Sequence, residues 1–400
     1  MARPKYRVLC LGGGAPNLTL MSGALHALHE AGLNKLEKRP NIFSMAGAGA
    51  VVGLHYLAPK GLRSNDPFSL EALKNTMNFG ISDAIYEMVP INYKVFTKSG
   101  PSADVFNEFW FSLPEVQQAM HQSGMSDDEA LAGDALLFEG AMMCPTDVNF
   151  FSLGVCGYAQ FLENLIDFTA LPNPNDIEIE INAFNIEKHE LVEFTNYERD
   201  QNGEPLKTKD DKLIPKEITA EHLRAALAFP FIHAPYKIGH QHYFEGAAMQ
   251  SLNDFKIKDV NDIEWIIVLD PLRKNMIGMP QNLWDAFALS ILMPTAGLGE
   301  LGRLILKFRT ELPQTPALTQ EFTQHFAGRP KEHRLSPLET MLMLGLTGPR
   351  KRLYLSEFKI PEENVPRSWG WSRSSLRDLF DIGGAAGREI AEEMRHDGHL

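Results

Sequence analysis

The chain has 400 residues and a mass of 44.8 kDa, beyond the usual size of a single hydrophobic core. Its 44% apolar, 22% charged and 10% aromatic residues exclude disordered, collagen-like and coiled-coil classes. The balance of 38 basic against 51 acidic residues, a net of −13, argues against nucleic acid as a partner. Three cysteines (Cys10, Cys144, Cys156) are too few for a disulfide framework and fit a reducing compartment. No run of eighteen apolar residues offers a membrane span, and the basic start is followed by too short an apolar run for a secretory signal. A soluble, cytoplasmic protein is expected.

Read in chain order, residues 6–11 (YRVLCL) form a short β-prone run that ends in Gly12, Gly13 and Gly14. Leu20, Gly23, Ala24, Ala27, Leu28 and Ala31 then recur at helical spacing up to a stop at Gly32. Strand, glycine turn and helix open an α/β layer fold. A second such unit follows: a strand at 41–45, the small residues Ala46, Gly47, Ala48, Gly49 and Ala50, and a helical run to about Leu57. Residues 61–175 read as a helical and loop insertion. Alternating strands return at 177–184 and 190–194, a charged loop covers 198–216, and a helix at 220–227 precedes a turn marked by Pro230 and Pro235. A buried strand is expected at 263–269, and a chiefly helical extension from 276 to 400.

Three pieces of this order carry chemistry. The turn at Gly12, Gly13, Gly14 and Ala15 can present backbone N–H groups beside a helix N-terminus. That suits a phosphate cradle, an oxyanion hole, or a plain tight turn. The second turn has the form of a nucleophile elbow, G-x-S-x-G, with small residues throughout. Gly47 stands at its apex, where the serine belongs, and Met45 replaces the first glycine. The third piece is Glu245 followed by Gly246 and Ala247, a carboxylate in a strand-end turn that could orient or deprotonate a hydroxyl. A solvated acid is the plain alternative.

In this order, with Pro230 and Pro235 after the 220–227 helix and Gly23, Leu25, Ala27 and Leu28 after the first turn, the sequence resembles the patatin-like phospholipases. The likeness covers about residues 5–60 and 175–270. It implies a three-layer α/β fold with a central, mainly parallel sheet, spanning residues 1–275, with the insertion at 61–175 and the helical extension at 276–400. It implies an oxyanion hole at Gly12, Gly13, Gly14 and Ala15, and no metal or cofactor. In the family a serine and an aspartate form the dyad; Gly47 and Glu245 occupy those positions here, and Asn17 and Leu18 replace an Arg-Gly pair in the first loop. Glycine has no side chain to acylate, so the family's covalent route is closed. The expectation is a pseudoenzyme that binds an acyl lipid or fatty acid. A hydrolase using water placed by Glu245, and a scaffold or regulatory subunit, are the alternatives. Ser22 and Ser44 lie off the apex.

Weaker signals complete the reading. Gly297, Gly299 and Gly302 spell a G-x-G-x-x-G that follows no strand, so no dinucleotide is expected there. His233, His240 and His242 lack the further ligands of a metal site. Residues 303–352 hold nine basic and four acidic residues, a net of +5, next to an apolar face. A basic amphipathic stretch can lie on anionic lipid, which predicts weak peripheral membrane association; a core-packing helix is the alternative.

Overall fold

The computed structural model describes residues 6–14, 17–62, 68–121, 126–158, 160–250, 252, 262–272, 277, 279, 283–311, 353–361 and 370–400. Ala15 and most of 303–352 lie outside them.

The first strand, β1 (Tyr6–Leu11), is buried from Val8 to Leu11. A strand covered on both faces needs an uninterrupted apolar run, which is what this segment supplies. Helix α1 (Leu18–Leu28) follows, then β2 (Ile42–Met45) and α2 (Ala48–Leu57), whose ten residues are all buried. The insertion contributes α3 (Leu70–Asn75), α4 (Asp83–Met88), β3 (Thr97–Lys98), α5 (Pro101–Ser112), α6 (Pro114–Met120), α7 (Asp127–Met143), β4 (Gly154–Gly157) and α8 (Gln160–Asn164). The chain then returns through β5 (Glu178–Asn185), β6 (Glu190–Thr195), α9 (Ala220–Leu227), β7 (Phe231–His233), β8 (Tyr236–Ile238), β9 (Gln241–Glu245) and β10 (Ile263–Leu269). The remaining elements are α10 (Leu283–Glu311), β11 (Leu353–Leu355) and α11 (Arg373–His396).

Eight strands form one sheet in the order β11-β10-β1-β2-β5-β9-β8, with β6 on β5. The five from β11 to β5 are parallel; β6, β8 and β9 join by antiparallel pairing. A smaller sheet, β3-β4-β7, ties the insertion to the segment after α9. One face of the main sheet packs against α1, α2 and α11 through residues such as Leu9, Phe43, Ile179, Leu25 and Leu379. The other face gathers Val8, Cys10, Ile42, Ile266 and Val268 with Leu306 of α10. Helices on both faces of a mainly parallel sheet make the three-layer α/β fold that the motif order implies.

The region after residue 276 is not purely helical: β11 extends the sheet next to β10, in the register Ile267↔Tyr354. Three residues between turn-rich segments give too little period-two signal to read as a strand. Helix α11 packs along α1 at backbone distance, because glycines line the seam. A Cβ on Gly23 would strike the Phe380 carbonyl, one on Gly383 the Leu20 carbonyl, and one on Gly387 the Ala24 carbonyl. The insertion is anchored to α11 by ions. Lys94, fully buried, lies 3.5 Å from Asp134 of α7, and Arg373 lies 3.1 Å from the same carboxylate. The Asp134 carboxylate also accepts the Ser82 N–H at 2.5 Å, and Lys94 Nζ donates to the Asn78 and Gly80 carbonyls.

Candidate active site

The parallel strands β1 and β2 end side by side, with Leu11 in register with Met45, so the turns that follow them meet at one edge of the sheet. Leu11 and Ala46 continue the ladder, the Ala46 N–H donating to the Leu11 carbonyl at 3.0 Å. Gly47 then takes φ 47° and ψ −123° before α2 begins. Side chains rarely adopt that conformation, and it is the kind of strained strand-to-helix turn that lifts a nucleophile clear of a sheet. The turn thus has the shape of a nucleophile elbow, with a glycine at its apex. Close contact requires the small neighbour too, since a Cβ on Gly49 would strike the Leu11 carbonyl.

Gly12, Gly13 and Gly14 form the turn after β1. The Gly12 N–H still belongs to the sheet, donating to the Leu269 carbonyl of β10 at 3.0 Å. Gly14 sits at φ 113°, a glycine conformation, against Leu272. Among the described residues, the N–H groups of Gly13, Gly14 and Ala48 have no backbone acceptor, the condition of donors held for a ligand or solvent oxygen. Ala15 lies outside the described residues, so the fourth expected donor has no placement.

Glu245 reaches this point from the end of β9, where it pairs with Ala183 of β5 and donates its N–H to the Ala228 carbonyl at 2.9 Å. It is 8% exposed, not the solvated acid of the plain reading. Glu245 and Gly47 are in close contact. A Cβ built on Gly47 would overlap the Glu245 carboxyl oxygen and lie 2.9 Å from its carboxyl carbon; one on Gly13 would lie 3.5 Å from the same oxygen. The carboxyl group thus stands in the space a side chain at position 47 would need. Burial pushes the Glu245 carboxyl up to about 8, with no charged partner opposing it. At neutral pH the group is mainly the protonated acid, able to donate a hydrogen bond and poorly suited to act as a base.

The other candidate residues are placed elsewhere. Ser22 spends its hydroxyl on the Leu18 carbonyl inside α1, at 3.0 Å. Ser44 is buried on β2 between Cys10 and Glu180, on the sheet face opposite Phe43 and Met45. Neither reaches the apex. His233 stacks on Tyr158 with centroids 5.1 Å apart, and burial lowers it to about 4; His242 pairs with Glu187 at 2.6 Å. No cluster of three or more His, Cys, Asp or Glu suited to a metal occurs among the described residues. Gly297, Gly299 and Gly302 fall inside α10, so they form no strand-to-helix turn.

Two features escaped the sequence reading. Asp270, at the end of β10, backs the first loop: its Oδ1 lies 2.9 Å from where a Gly12 Cβ would sit. Arg303 of α10 pairs with that carboxylate and donates to the Leu272 carbonyl at 3.3 Å. Arg303 is 5% exposed, so this one of the nine basic residues belongs to the interior. An acid right after a buried strand, at the carboxyl edge of a parallel sheet, was the available signal. The environment of Asn17 is the other: the residue is fully buried, and its side-chain amide has no hydrogen-bond partner among the described residues.

A family model described as patatin-like phospholipase matches residues 9–253, from β1 past Glu245. A search of curated protein sequences gave no match. Among solved structures, VipD from Legionella pneumophila aligns over 97% of this chain and 67% of its own, at 13% identity and a TM-score of 0.36. No helix of the described residues is long and apolar enough to cross a membrane. With the family model matching more than half of the chain, from β1 through the glycine loop and the Gly47 turn to the Glu245 turn, this chain belongs to the patatin-like phospholipase family.

Proposed function

We propose that this chain is a member of its family that binds an acyl lipid or fatty acid without hydrolysing it. One observation carries the reading: Gly47 offers no hydroxyl at the apex, and the Glu245 carboxyl fills the space a side chain there would need. The N–H groups of Gly13, Gly14 and Ala48 remain without backbone acceptors, and a carbonyl or carboxylate oxygen suits them. The protonated Glu245 adds a neutral donor to that set. The loop can then hold the polar end of a lipid while the nucleophilic step has no group to perform it.

The test is native mass spectrometry of the purified chain, paired with an ester-hydrolysis assay. Co-purified fatty acid and no turnover are the expected result. Turnover that rises through pH 8 and disappears in Glu245→Gln favours the alternative of a water-using hydrolase, because only the ionised carboxylate can take a proton from water. Neither ligand nor turnover favours a scaffold. Peripheral association through residues 303–352 is part of the same proposal, with Arg303 removed from the set that can meet a lipid surface.

A further inference from the structure

The most exposed apolar side chains of the described residues are not spread evenly. Phe150 is 96% exposed, Phe151 88% and Leu153 73%, all within one turn between α7 and β4. The turn closes on itself. The Asn149 N–H donates to Ser152 Oγ at 2.9 Å, the Phe151 N–H to Asn149 Oδ1 at 2.8 Å, and the Ser152 N–H to the Asn149 carbonyl at 3.0 Å. The two phenyl rings stand edge to face, 5.8 Å apart, on its tip. Large apolar groups held outward by a turn with its own internal hydrogen bonds are the reverse of what folding alone would select.

This tip is joined to the candidate active site. Leu153 leads directly into β4, whose first residue, Gly154, pairs with Phe231 of β7. Phe231 is itself 60% exposed and holds φ 73°, which is unusual for a bulky residue and marks a constrained position. Three residues before it, the Ala228 carbonyl accepts the Glu245 N–H. The aromatic surface therefore borders the segment that positions the buried carboxyl.

We propose that Phe150, Phe151, Leu153 and Phe231 form a docking tip that enters the interfacial layer of an uncharged or zwitterionic lipid surface. Shape and charge select that partner. A convex tip of two rings has no flat area to seal against a rigid protein, whereas a fluid lipid layer accommodates it. No Asp, Glu, Lys, Arg or His lies between Asp147 and Gln160, so attraction to an anionic surface is not what this tip supplies. The bonds within the turn occupy the N–H groups of Asn149, Phe151 and Ser152, which lowers the cost of moving the tip out of water. The inference is separate from residues 303–352, and it stands whether or not an acyl group occupies the glycine loop.

The experiment is co-sedimentation of the full chain with phosphatidylcholine vesicles, at low and high salt. Binding that hardly changes with salt is expected. Phe150→Ser with Phe151→Ser should lower the partition at least about tenfold, while Leu36→Ser, another exposed apolar position, leaves it unchanged. Both phenylalanines are solvent-facing, so the urea midpoint of the double variant should match the parent and exclude misfolding as the cause. Failure of the parent to bind these vesicles, equal binding by the double variant, or binding abolished by salt would each overturn the proposal. A concentration-dependent dimer that the double variant abolishes would also overturn it, by assigning the tip to a second copy of the chain.

Discussion

Replacing Gly47 by serine tests the reading of the site at its centre. The substitution restores a hydroxyl to the apex, but the structure sets two costs against it. At φ 47° and ψ −123° a residue with a side chain carries backbone strain, about 1–3 kcal/mol. The new Cβ also overlaps the Glu245 carboxyl oxygen, so that side chain must leave its rotamer, at about 1 kcal/mol. Gly47→Ser alone should therefore lose about 2–4 kcal/mol of stability. Its esterase activity should be weak, since displacement of the carboxyl by about an ångström can cost about a hundredfold in rate. Glu245→Asp withdraws the carboxyl by one carbon–carbon bond, about 1.5 Å, which is on the scale of the overlap. The double variant should recover the rotamer cost and hydrolyse a p-nitrophenyl ester faster than Gly47→Ser. The assay is a double-mutant cycle read in both urea denaturation and ester turnover, with a stability coupling of about 0.5–3 kcal/mol between the positions. Strict additivity in both readouts would refute the contact on which the reasoning rests. Strong hydrolysis by the parent that survives Glu245→Gln would refute the absence of a nucleophile.

Because the Glu245 carboxyl is raised from 4.5 to about 8 in the folded chain, the native state holds its proton where the unfolded chain has released it. The stability this group permits is present below about pH 4.5 and lost as pH rises to about 8, a change on the order of a few kcal/mol. Glu245→Gln should remove that part of the slope, so urea midpoints of parent and variant should diverge most near pH 8–9 in favour of glutamine. Asp134→Ala leaves Lys94 and Arg373 without their shared carboxylate and should cost about 3–5 kcal/mol, measured by equilibrium denaturation. Gly387→Ala places a methyl group against the Ala24 carbonyl and should cost about 1–3 kcal/mol by the same measurement, with Arg388→Ala as an unaffected neighbour. Association with anionic vesicles through residues 303–352 should weaken as salt rises, since exposed charges are screened within about 8 Å at physiological ionic strength. Equal binding to neutral vesicles of the Phe150→Ser, Phe151→Ser variant would contradict that charge-driven component.

The fold was legible where local chemistry and layer position agree. Residues 6–11 and 263–269 are apolar throughout because they lie inside the parallel sheet, and the small residues at 46–50 are there because the elbow has no room for others. The order of glycine loop, elbow and Glu245 turn carried the family. What the sequence could not carry were relations between distant side chains. Nothing local says that Glu245 is buried, or that its extra methylene brings the carboxyl onto Gly47. Arg303 counted as surface charge by composition, yet it meets Asp270 across 33 positions of chain. The aromatic run near Phe150 had no period to mark it as a turn. Its exposure is set by the small sheet β3-β4-β7, which pairs segments far apart in sequence.

The placement of β10 and α11 also governs when this molecule can fold during synthesis. The middle one of the five parallel strands, β1, is flanked by β2, made about thirty residues later, and by β10, made about two hundred and fifty residues later. The glycine face of α1 is covered only when residues 373–396 arrive. Ribosome-bound chains must therefore carry an open strand edge until residues 263–269 emerge, and an uncovered apolar helix until residues 373–396 do. The conditions that favour aggregation last until the helix at 373–396 has left the tunnel. Slowing elongation should not improve the yield of native protein, whereas a chaperone that shields β1 and α1 should.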